Sequence, residues 1–342
     1  MRAAIYYANN DLRIKEIDTP KIGPGEVLMR VEASGICGSD IMEWYRIDRV
    51  PLVLGHEVAG VVAAVGAGVK DFKAGDRICA AHHVPCNECH FCKTGHHTVC
   101  ETLRKTNFDP GGFVEFLRIP KVNVKEGIFK LSDKTLFEEA TFVEPLACVL
   151  RGQRAIGVGS EKFVLIVGSG MAGLLHLKLA KSLGAAFVVT TDIDEFRLDA
   201  ARRFGADKAI DAKDYTPDLI RKMNGGRLAD IVIICAGATS AMGQALKSVE
   251  RGGTILFFAP TGKGETIPLS VNDLFWRTEI TLRSSYAGSP ADYAEGLKLI
   301  ESGKINVKDM ITHRLGLDKI QEGFKLVVDG KDSIKVIIKP QK

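Results

Sequence analysis

The sequence lacks the features that would place it in several large classes of protein. Its most apolar stretch, residues 163–180, is interrupted by three glycines, a histidine and a lysine, so no unbroken run of membrane-helix length is present. The chain also lacks a concentration of positive charge. Its 46 Lys and Arg residues are scattered along the sequence, and 42 Asp and Glu residues reduce the formal net charge to +4. We therefore expect neither a membrane partner nor a nucleic-acid partner.

The sequence also lacks a secretory signal, because charged and turn residues interrupt residues 1–17 before an apolar core of sufficient length can form. A cytoplasmic protein is the resulting expectation. Hydrophobic residues at 46% and charged residues at 26% are typical of a globular chain, which excludes extensive disorder. A length of 342 residues indicates about two domains.

A disulfide framework is not expected, although the chain has 8 cysteines. Four of them follow the spacing C-x2-C-x2-C-x7-C, which is too dense for disulfides in a long chain without a signal. Four thiolates fit a closed tetrahedral zinc site, which would be structural. The predicted ligands are Cys86, Cys89, Cys92 and Cys100. A nucleic-acid-binding zinc ribbon is disfavoured, because the second cysteine pair does not have C-x2-C spacing.

Two patterns of secondary structure divide the chain. Residues 1 to about 120 contain short strands separated by turn signals, which predicts an irregular β-barrel or sandwich carrying the cysteine-rich loop. From Phe163 onward strands alternate with helices, including a predicted helix over residues 240–250, which indicates a parallel sheet covered by helices. The residues after Ser289 lose this alternation, so we expect them to return to the first domain.

A glycine-rich loop in the second region has the spacing of a dinucleotide-binding turn. It follows an apolar strand and precedes a helix, the context in which G-x-G-x-x-G binds a pyrophosphate at the helix N-terminus. Asp192 ends the next strand, where a carboxylate would bind the ribose and favour NAD over NADP. Arg197 weakens this preference, because a guanidinium could accept a 2′-phosphate. The predicted cofactor-binding loop residues are Gly168, Gly170, Met171, Ala172 and Gly173.

A second metal site is suggested by the stretch from Cys37 to Glu57. A thiolate and an imidazole at its ends, Cys37 and His56, are good ligands for zinc, and a catalytic site needs a third ligand and an open position. The later stretch TFVEPLACVL offers Glu144 or Cys148. Either residue would balance the charge of Zn²⁺, so the residues alone leave both open.

The motifs in order resemble those of the zinc-dependent medium-chain alcohol dehydrogenases, and within them the polyol (sorbitol-like) dehydrogenases. The similarity is carried by GHEVAGVVAAVGAGV at 55–69, FKAGDR at 72–77, the four-cysteine lobe, GGFVEF at 111–116 and EPLACVL at 144–150. It runs almost from end to end of the chain.

This resemblance implies an α/β fold in which a GroES-like β-barrel catalytic domain is combined with a Rossmann doubly wound parallel-sheet cofactor domain. The implied domains are residues 1–148, with the zinc lobe at 85–101, residues 149–288 for NAD binding, and residues 289–342 returning to the catalytic domain. Relatives in this family are commonly dimers or tetramers, so we expect a homodimer or homotetramer.

The resemblance also implies roles for the residues of the second metal site. It favours Glu144 as the third ligand beside Cys37 and His56, and it places the Glu57 carboxylate next to the zinc, where it can approach or replace a ligand. Ser39 would take the proton of the alcohol.

Two further roles follow from the same resemblance. Asp40 would orient the zinc-bound imidazole through a hydrogen bond to its other ring nitrogen. Cys148 would pack against the nicotinamide.

One position departs from the family pattern. Met42 stands where relatives often have a histidine that passes the proton onward, so we expect Glu43, His82 or water to serve instead, with an altered pH dependence. The segment 42–49 is expected near the substrate, and its aromatic and arginine side chains either line the pocket or belong to the core and the solvated surface. In the first case a polyhydroxylated or acidic substrate is favoured.

These observations predict an NAD-dependent zinc dehydrogenase acting on a secondary alcohol of a polyol, diol or related hydroxylated metabolite. An L-threonine-type or sugar-acid dehydrogenase of the same family is the alternative enzyme. A non-catalytic NAD(H)-binding sensor or structural protein is the alternative from another class, disfavoured because it would need no open metal site.

Overall fold

The computed structural model describes residues 1–342 and divides into two compact units. Unit 1 consists of Met1–Ala147 together with Ala287–Lys342, and unit 2 consists of Cys148–Tyr286. No helix is both long enough and apolar enough to span a membrane.

The strands are β1 (Arg2–Ala8), β2 (Asp11–Glu16), β3 (Val27–Gly35), β4 (Leu52–Val53), β5 (Glu57–Val65), β6 (Arg77–Ala80), β7 (Phe116–Ile119), β8 (Ile128–Lys130), β9 (Phe163–Val167), β10 (Phe187–Asp192), β11 (Lys208–Asp211), β12 (Ala229–Ile234), β13 (Val249–Phe257), β14 (Thr281–Ser284), β15 (Ile311–Gly316) and β16 (Lys335–Lys339). The α-helices are α1 (Glu43–Arg46), α2 (His90–Lys93), α3 (Glu101–Lys105), α4 (Lys121–Glu126), α5 (Phe137–Ala140), α6 (Val143–Ala155), α7 (Met171–Ser182), α8 (Glu195–Arg203), α9 (Pro217–Met223), α10 (Thr239–Leu246), α11 (Val271–Phe275), α12 (Pro290–Glu301) and α13 (Ile320–Asp329). Short 3₁₀ turns occur at residues 47–49, 97–99, 308–310 and 317–319.

Unit 1 is built on two sheets of mainly antiparallel strands. The larger sheet has the order β15-β16-β3-β5-β6-β8, with β7 also paired to β3, and the smaller has the order β2-β1-β4. The register of β3 against β5 shifts twice, and such bulges increase the twist that lets a sheet curl around a core. Gly60 lies at one close approach, where an added Cβ would be 2.0 Å from the Arg30 carbonyl oxygen. The core beneath contains Tyr6, Phe113 and Phe324.

The pairing of β3 with β5 also determines where the second predicted metal site, that of Cys37 and His56, lies. Gly35, the last residue of β3, is opposite Glu57, the first residue of β5. Cys37 follows the end of β3 and His56 precedes the start of β5, so the two residues lie at the same end of this pair of strands. Antiparallel register therefore brings together residues that are far apart in sequence.

Unit 2 contains one six-stranded sheet in the order β11-β10-β9-β12-β13-β14, and every adjacent pair is parallel. Relabelled within the unit this is the order 3-2-1-4-5-6 of a doubly wound dinucleotide-binding fold, in which the strand order reverses between the first and fourth strands. That reversal falls between β9 and β12. All five residues of β9 are buried, as expected for a central parallel strand covered on both faces.

One predicted element has different bounds in the structure. The helix expected over residues 240–250 is α10, Thr239–Leu246, and the chain already enters β13 at Val249. Val249 pairs with Ala229 of β12, and the Glu250 carboxylate accepts a hydrogen bond from the Leu228 backbone N–H. These contacts between neighbouring strands override the helical pattern of the local sequence.

Candidate functional site

Three side chains with metal-binding atoms converge at the end of the sheet where β3 ends and β5 begins. One ligand atom from each of Cys37, His56 and Glu57 lies within 4.8 Å of the others. The set combines sulfur, nitrogen and oxygen, each of which binds Zn²⁺. Cys37 and His56 are half-buried and Glu57 is buried, so the cluster lies near the surface of unit 1 with one buried wall.

Asp40 holds two members of this cluster in place. Its Oδ2 accepts a hydrogen bond of 3.0 Å from the Cys37 backbone N–H, and its Oδ1 lies 3.4 Å from Nδ1 of His56. The Asp40 carboxylate is completely buried. Because Asp40 faces Nδ1, the other ring nitrogen of His56 is available to a metal, which is the arrangement predicted for this aspartate.

Electrostatics of the cluster favour a cation. Burial opposes protonation of His56, but the negative charges of Asp40 and Cys37 outweigh it and raise the His56 pKa well above its usual value. Burial likewise opposes ionisation of Asp40, yet His56 and the Cys37 N–H keep the pKa of Asp40 below its usual value. A divalent cation would satisfy the same anionic groups without a proton.

The Glu57 carboxylate has one paired and one unpaired oxygen. Its Oε2 forms an ion pair with Nζ of Lys335, a residue on β16 that is 1% exposed. Lys335 also donates to the carbonyl oxygen of Ile36 and lies 5.6 Å from the centre of the Phe142 ring. Oε1 of Glu57 is buried and has no hydrogen-bond partner. Leaving such an oxygen unsatisfied is costly, and coordination of a metal would satisfy it, so the residues present fit a metal ion.

Sequence reasoning missed Lys335. The signal was a lysine at the start of the otherwise apolar run KVIIK, where a charged side chain must find a partner if its strand is buried.

Glu144, the third ligand implied by the family resemblance, lies in the first turn of α6 and is 8% exposed. It is not one of the three residues whose ligand atoms converge, and Glu57 supplies the carboxylate of that group. The narrow space lined by Glu144 is also lined by Val58, Cys79 and Tyr293. Its role as a ligand remains a prediction. Cys148, the other candidate, is half-buried one turn further along α6.

Ser39, the predicted proton acceptor, lies directly beside the cluster. Its hydroxyl and its backbone N–H each lie 3.5 Å from Sγ of Cys37. The Arg46 guanidinium approaches it from the other side, with Nε donating to the Ser39 carbonyl oxygen at 3.1 Å and Nη2 to the hydroxyl at 3.4 Å. Met42 immediately precedes α1. An arginine therefore contacts the predicted proton acceptor, Ser39, in a chain that has no histidine at position 42.

The segment from 42 to 49 divides into exposed and inward-facing side chains. Trp44 and Tyr45 are 41% and 43% exposed, so they do not belong to the core. The Arg46 side chain is only 13% exposed. The two alternatives left open by the sequence therefore apply to different residues of this segment. Arg46 lies toward the site, whereas Trp44 and Tyr45 lie at the surface.

His82, one of the two residues considered for proton transfer, packs against the zinc-ligand candidate His56 with ring centres 4.7 Å apart. Burial, followed by the nearby charges of His83 and His56, lowers the pKa of His82 well below its usual value, so its imidazole is neutral. Glu43, the other residue considered, is exposed and accepts a hydrogen bond from the Asn9 backbone N–H.

The four clustered cysteines form a compact group of sulfur atoms. Sγ of Cys89 lies 3.5 Å from Sγ of Cys92, Sγ of Cys100 lies 3.6 Å from Sγ of Cys86, and Cys86 and Cys92 are 4.0 Å apart. Four Zn–S bonds of about 2.3 Å in a tetrahedron place the sulfurs about 3.8 Å apart, so the observed spacing fits a zinc ion.

Backbone groups also favour thiolates in this lobe. Burial opposes ionisation of Cys100, but backbone N–H groups, first that of Cys86 and then that of Leu103, lower its pKa to about 6. Cys92 is the opposite case, because burial raises its pKa to about 12. A cation is therefore needed to hold all four sulfurs as thiolates.

The glycine loop of unit 2 follows β9 and leads into α7. Gly168 has φ +99°, a conformation that other residues rarely adopt. An added Cβ at Gly173 would lie 1.9 Å from the Gly168 carbonyl oxygen, so helix and turn pack too closely for a side chain. Open space surrounds Gly170, with no atom within 4 Å of an added Cβ. Met171 and Ala172 form the first turn of α7, where unpaired N–H groups favour an anion.

Asp192 ends β10 and is anchored to the glycine loop. Its Oδ2 accepts a hydrogen bond of 2.7 Å from the Ser169 N–H, and its Oδ1 accepts from the N–H groups of Ile193 and Asp194. Nη1 of Arg197 lies 3.8 Å from Oδ1. The carboxylate is thus fixed beside the predicted pyrophosphate turn, as the strand–glycine–acid spacing indicated.

Two family models match the chain. "Alcohol dehydrogenase GroES-like domain" covers residues 23–129, and "Zinc-binding dehydrogenase" covers residues 172–302. Together with the parallel sheet of unit 2, these matches confirm the predicted fold class, a GroES-like domain combined with a Rossmann domain.

Full-length relatives agree with these matches. Sorbitol dehydrogenase of Gallus gallus is 32% identical over 98% of this chain and 96% of its own length. Sorbitol dehydrogenase of Bacillus subtilis is 30% identical over 100% of this chain and 98% of its own. The crystal structure of 2R,3R-butanediol dehydrogenase from Bacillus subtilis superposes with a TM-score of 0.86 at 26% identity, covering 99% of both chains.

Proposed function

This chain belongs to the zinc-binding alcohol dehydrogenase family, and on that premise we propose that it transfers hydride from a secondary alcohol of a polyol, diol or related hydroxylated metabolite to NAD. The observation that carries this proposal is the convergence of Cys37, His56 and Glu57 within 4.8 Å, with the Ser39 hydroxyl against Cys37. The similarity to sorbitol dehydrogenases and to a butanediol dehydrogenase supports the substrate class.

Cys37, His56 and a carboxylate would hold the catalytic zinc. Glu57 is the carboxylate that lies with the other two, and Glu144 is the one that the family resemblance implies. Bound there, zinc would supply Lewis-acid chemistry that makes an alcohol proton acidic. The Cys86–Cys100 lobe would hold a second, structural zinc.

The surrounding side chains position the substrate and move its proton. Asp40 keeps His56 in one orientation and one tautomer, so that its second ring nitrogen faces the cluster. The Ser39 hydroxyl takes the proton of the alcohol as it passes its own proton on to water, Glu43 or His82, and the negative charge is left on the substrate oxygen. The neighbouring Arg46 hydrogen-bonds to the Ser39 hydroxyl, and its positive charge favours the anionic substrate oxygen. Because Met42 carries no titratable group, we expect a pH–rate profile that differs from those of relatives with a histidine there.

Unit 2 would bind the cofactor, whose nicotinamide would supply the hydride acceptor. The pyrophosphate would lie on the N-terminus of α7, where Gly170 leaves room for it. The fixed Asp192 carboxylate would accept hydrogen bonds from the ribose and repel a 2′-phosphate, which favours NAD over NADP. Arg197 beside it moderates that preference, and Cys148 would pack against the nicotinamide.

We assign the catalytic role to residues 1–148 and 289–342 and the cofactor role to residues 149–288. A homodimer or homotetramer is supported by β14, an edge strand of the six-stranded sheet, and by exposed apolar side chains around it. These side chains are Leu269, Val271, Phe275, Trp276 and Tyr286. A cytoplasmic location is supported by the cysteines, four of which cluster as a predicted zinc site rather than as disulfides, a use of cysteine that suits a reducing compartment.

The proposal is tested by incubating the purified protein with NAD or NADP and a panel of polyols, diols, L-threonine, sugar acids and short alkyl alcohols, while NADH absorbance and zinc content are recorded. About two zinc ions per chain and NADH production from polyols or diols support it. Preferential oxidation of L-threonine or of sugar acids supports the alternative enzyme of the same family and overturns the polyol and diol substrate class. Zinc-free protein that binds NADH without turnover supports the sensor and overturns the dehydrogenase function.

Glu57→Gln and Glu144→Gln separate the two candidate carboxylates. The variant that lacks the true ligand loses about one zinc ion per chain, whereas the other retains both.

A further inference from the structure

Arg46 occupies an unusual position for an arginine in a short surface helix. It ends α1, where the flanking Tyr45 and Ile47 are 43% and 42% exposed, yet its own side chain is only 13% exposed. Its guanidinium turns toward Ser39, whose hydroxyl lies 3.5 Å from the sulfur of Cys37. The positive charge of Arg46 is therefore separated from the metal-ligand cluster only by the Ser39 side chain.

The charge of Arg46 is not neutralised by a hydrogen-bonded carboxylate, as the charge of Arg314 is. Arg314 forms a bidentate ion pair with Glu138, in which both hydrogen bonds measure 2.9 Å. Arg46 forms an ion pair with Asp40, but Oδ1 of Asp40 is 3.9 Å from Nη2, beyond hydrogen-bond distance. The same carboxylate accepts a hydrogen bond from the Cys37 N–H through Oδ2 and lies 3.4 Å from Nδ1 of His56 through Oδ1. Arg46 thus lacks the hydrogen-bonded carboxylate that the planar guanidinium group binds best.

Stacking holds the guanidinium without using its donors. Arg46 lies 4.6 Å and Arg49 4.5 Å from the centre of the Tyr45 ring. Such cation–π contacts fix the plane of a guanidinium and leave its N–H groups directed outward from the edge. The Arg49 side chain instead donates to the Tyr45 carbonyl oxygen, and no hydrogen bond joins it to Ser39.

We propose that Arg46 binds a carboxylate of the substrate, so that the preferred substrates are hydroxy acids of the sugar-acid class rather than neutral polyols. A substrate hydroxyl that hydrogen-bonds to Ser39 places its neighbouring carbons beside the guanidinium, so the carboxylate lies a few carbons from the oxidised carbon. The hydroxyl-bearing carbon loses a hydride to NAD and its oxygen loses a proton. A keto acid and NADH result, and the carboxylate is unchanged. This inference rests on the zinc- and NAD-dependent hydride transfer proposed above, and it selects the sugar-acid alternative over neutral polyols as the preferred substrate class.

The test compares substrates that differ only in the carboxylate. Aldonates and the alditols of the same configuration, such as gluconate and sorbitol, are assayed in several pairs with NAD and the zinc-loaded wild-type enzyme, Arg46→Gln, Arg46→Lys and Arg49→Gln. Arg49→Gln is the matched control, because it removes the other guanidinium from the same ring. Zinc content is measured for every variant.

We expect the wild-type enzyme to favour aldonates in kcat/KM. Loss of a charge-assisted hydrogen-bonded pair predicts that Arg46→Gln raises KM for aldonates by about 10- to 100-fold and removes the preference. Arg46→Lys restores part of it, and Arg49→Gln retains it. Binding of a saturated, non-oxidisable carboxylate to the enzyme–NADH complex, followed by NADH fluorescence, weakens in parallel in Arg46→Gln and provides a readout independent of turnover.

Three results would overturn the inference. Oxidation of alditols or diols with no preference for aldonates refutes it while leaving the proposed function intact. An Arg46→Gln variant that lowers kcat equally for both members of each pair, with KM unchanged, shows that Arg46 positions Ser39 and binds no carboxylate. Absence of NADH production from every substrate by the zinc-loaded wild-type enzyme refutes the dehydrogenase function, and this inference with it.

Discussion

Lys335 and Glu57 form an ion pair in which both side chains are inaccessible to solvent. The lysine comes from β16 and the glutamate from the first position of β5, and both strands neighbour β3 in the larger sheet. An added Cβ at Gly35 would lie 2.1 Å from the carboxylate, so the strand between them leaves room for the pair by having no side chain there. The pair therefore fixes the wall of the candidate metal site.

Removal of the lysine alone is expected to destabilise the protein severely. Lys335→Met leaves the Glu57 charge buried without its partner, which costs about 3–5 kcal/mol of unfolding free energy. The double variant Lys335→Met/Glu57→Gln removes both charges and is expected to recover part of that loss. Urea unfolding of the two single variants and the double variant gives the coupling energy. A double variant whose loss equals the sum of the single losses would contradict the pairing.

Loss of one thiolate from the cysteine lobe is expected to release the structural metal. Cys100→Ser lowers the zinc content by about one ion per chain and lowers the melting temperature, because the lobe has only a small apolar cluster of its own. Metal analysis and thermal denaturation measure the two effects. Cys79→Ala is the control, since burial raises the pKa of Cys79 to about 12 and it lies outside the cluster. Equal zinc loss in both variants would argue against the lobe as a specific site.

Alanine substitutions at two of the three glycines of the predicted cofactor loop are expected to have different effects. Gly173→Ala creates a backbone clash with Gly168 and lowers both stability and NADH affinity. Gly170→Ala meets open space in the protein and has a φ of −68°, so it folds normally but blocks the approach of the pyrophosphate. We expect about a tenfold or greater weakening of NADH binding with an unchanged melting temperature. Unchanged affinity in Gly170→Ala would contradict the predicted cofactor position.

His176 on α7 makes stability depend on pH. Burial lowers its pKa to about 3, and its Nδ1 lies 3.1 Å from the Gln153 amide nitrogen, so the folded protein keeps the imidazole neutral. The unfolded chain takes up a proton below about pH 6.5. Stability is therefore fully present above that pH and decreases as the pH falls toward 3, by about 2 kcal/mol at pH 5.

Chemical denaturation at pH 7 and at pH 5 measures this effect. His176→Gln, which retains a polar side chain but cannot titrate, is expected to lose about 2 kcal/mol less than the wild-type protein between the two values. Equal losses in both proteins would show that His176 is not responsible.

Motifs that are local in sequence could be predicted with their geometry. The glycine loop and Asp192 are separated by one helix and one strand, so strand–helix–strand connectivity alone places them together. The four cysteines lie within one loop, and their spacing determines a tetrahedral cluster without knowledge of the rest of the fold. The change from short strands to strand–helix alternation predicted a β-rich unit followed by a parallel sheet covered by helices, and the family resemblance added the GroES-like and Rossmann folds.

Contacts between distant parts of the chain could not be predicted in this way. Lys335 and Glu57 are separated by 278 positions, and no local pattern links them, because strand order in an antiparallel sheet is set by the packing of the whole unit. Arg46 shows a second limit. Its helix α1 has only four residues and no buried ones, so apolar periodicity gave no information about which side chains turn inward.

Strand β16 lies between β15 and β3, so unit 1 needs residues 335–339 to complete its larger sheet. Unit 2 is formed by one continuous stretch of the chain, 148–286, and all its strands have been synthesised while β16 has yet to leave the ribosome. During synthesis unit 2 can therefore fold first. Lys335, the partner of Glu57, is added only with β16, so we expect the Cys37–His56–Glu57 cluster to form, and a metal ion to bind there, only after synthesis of the chain is complete.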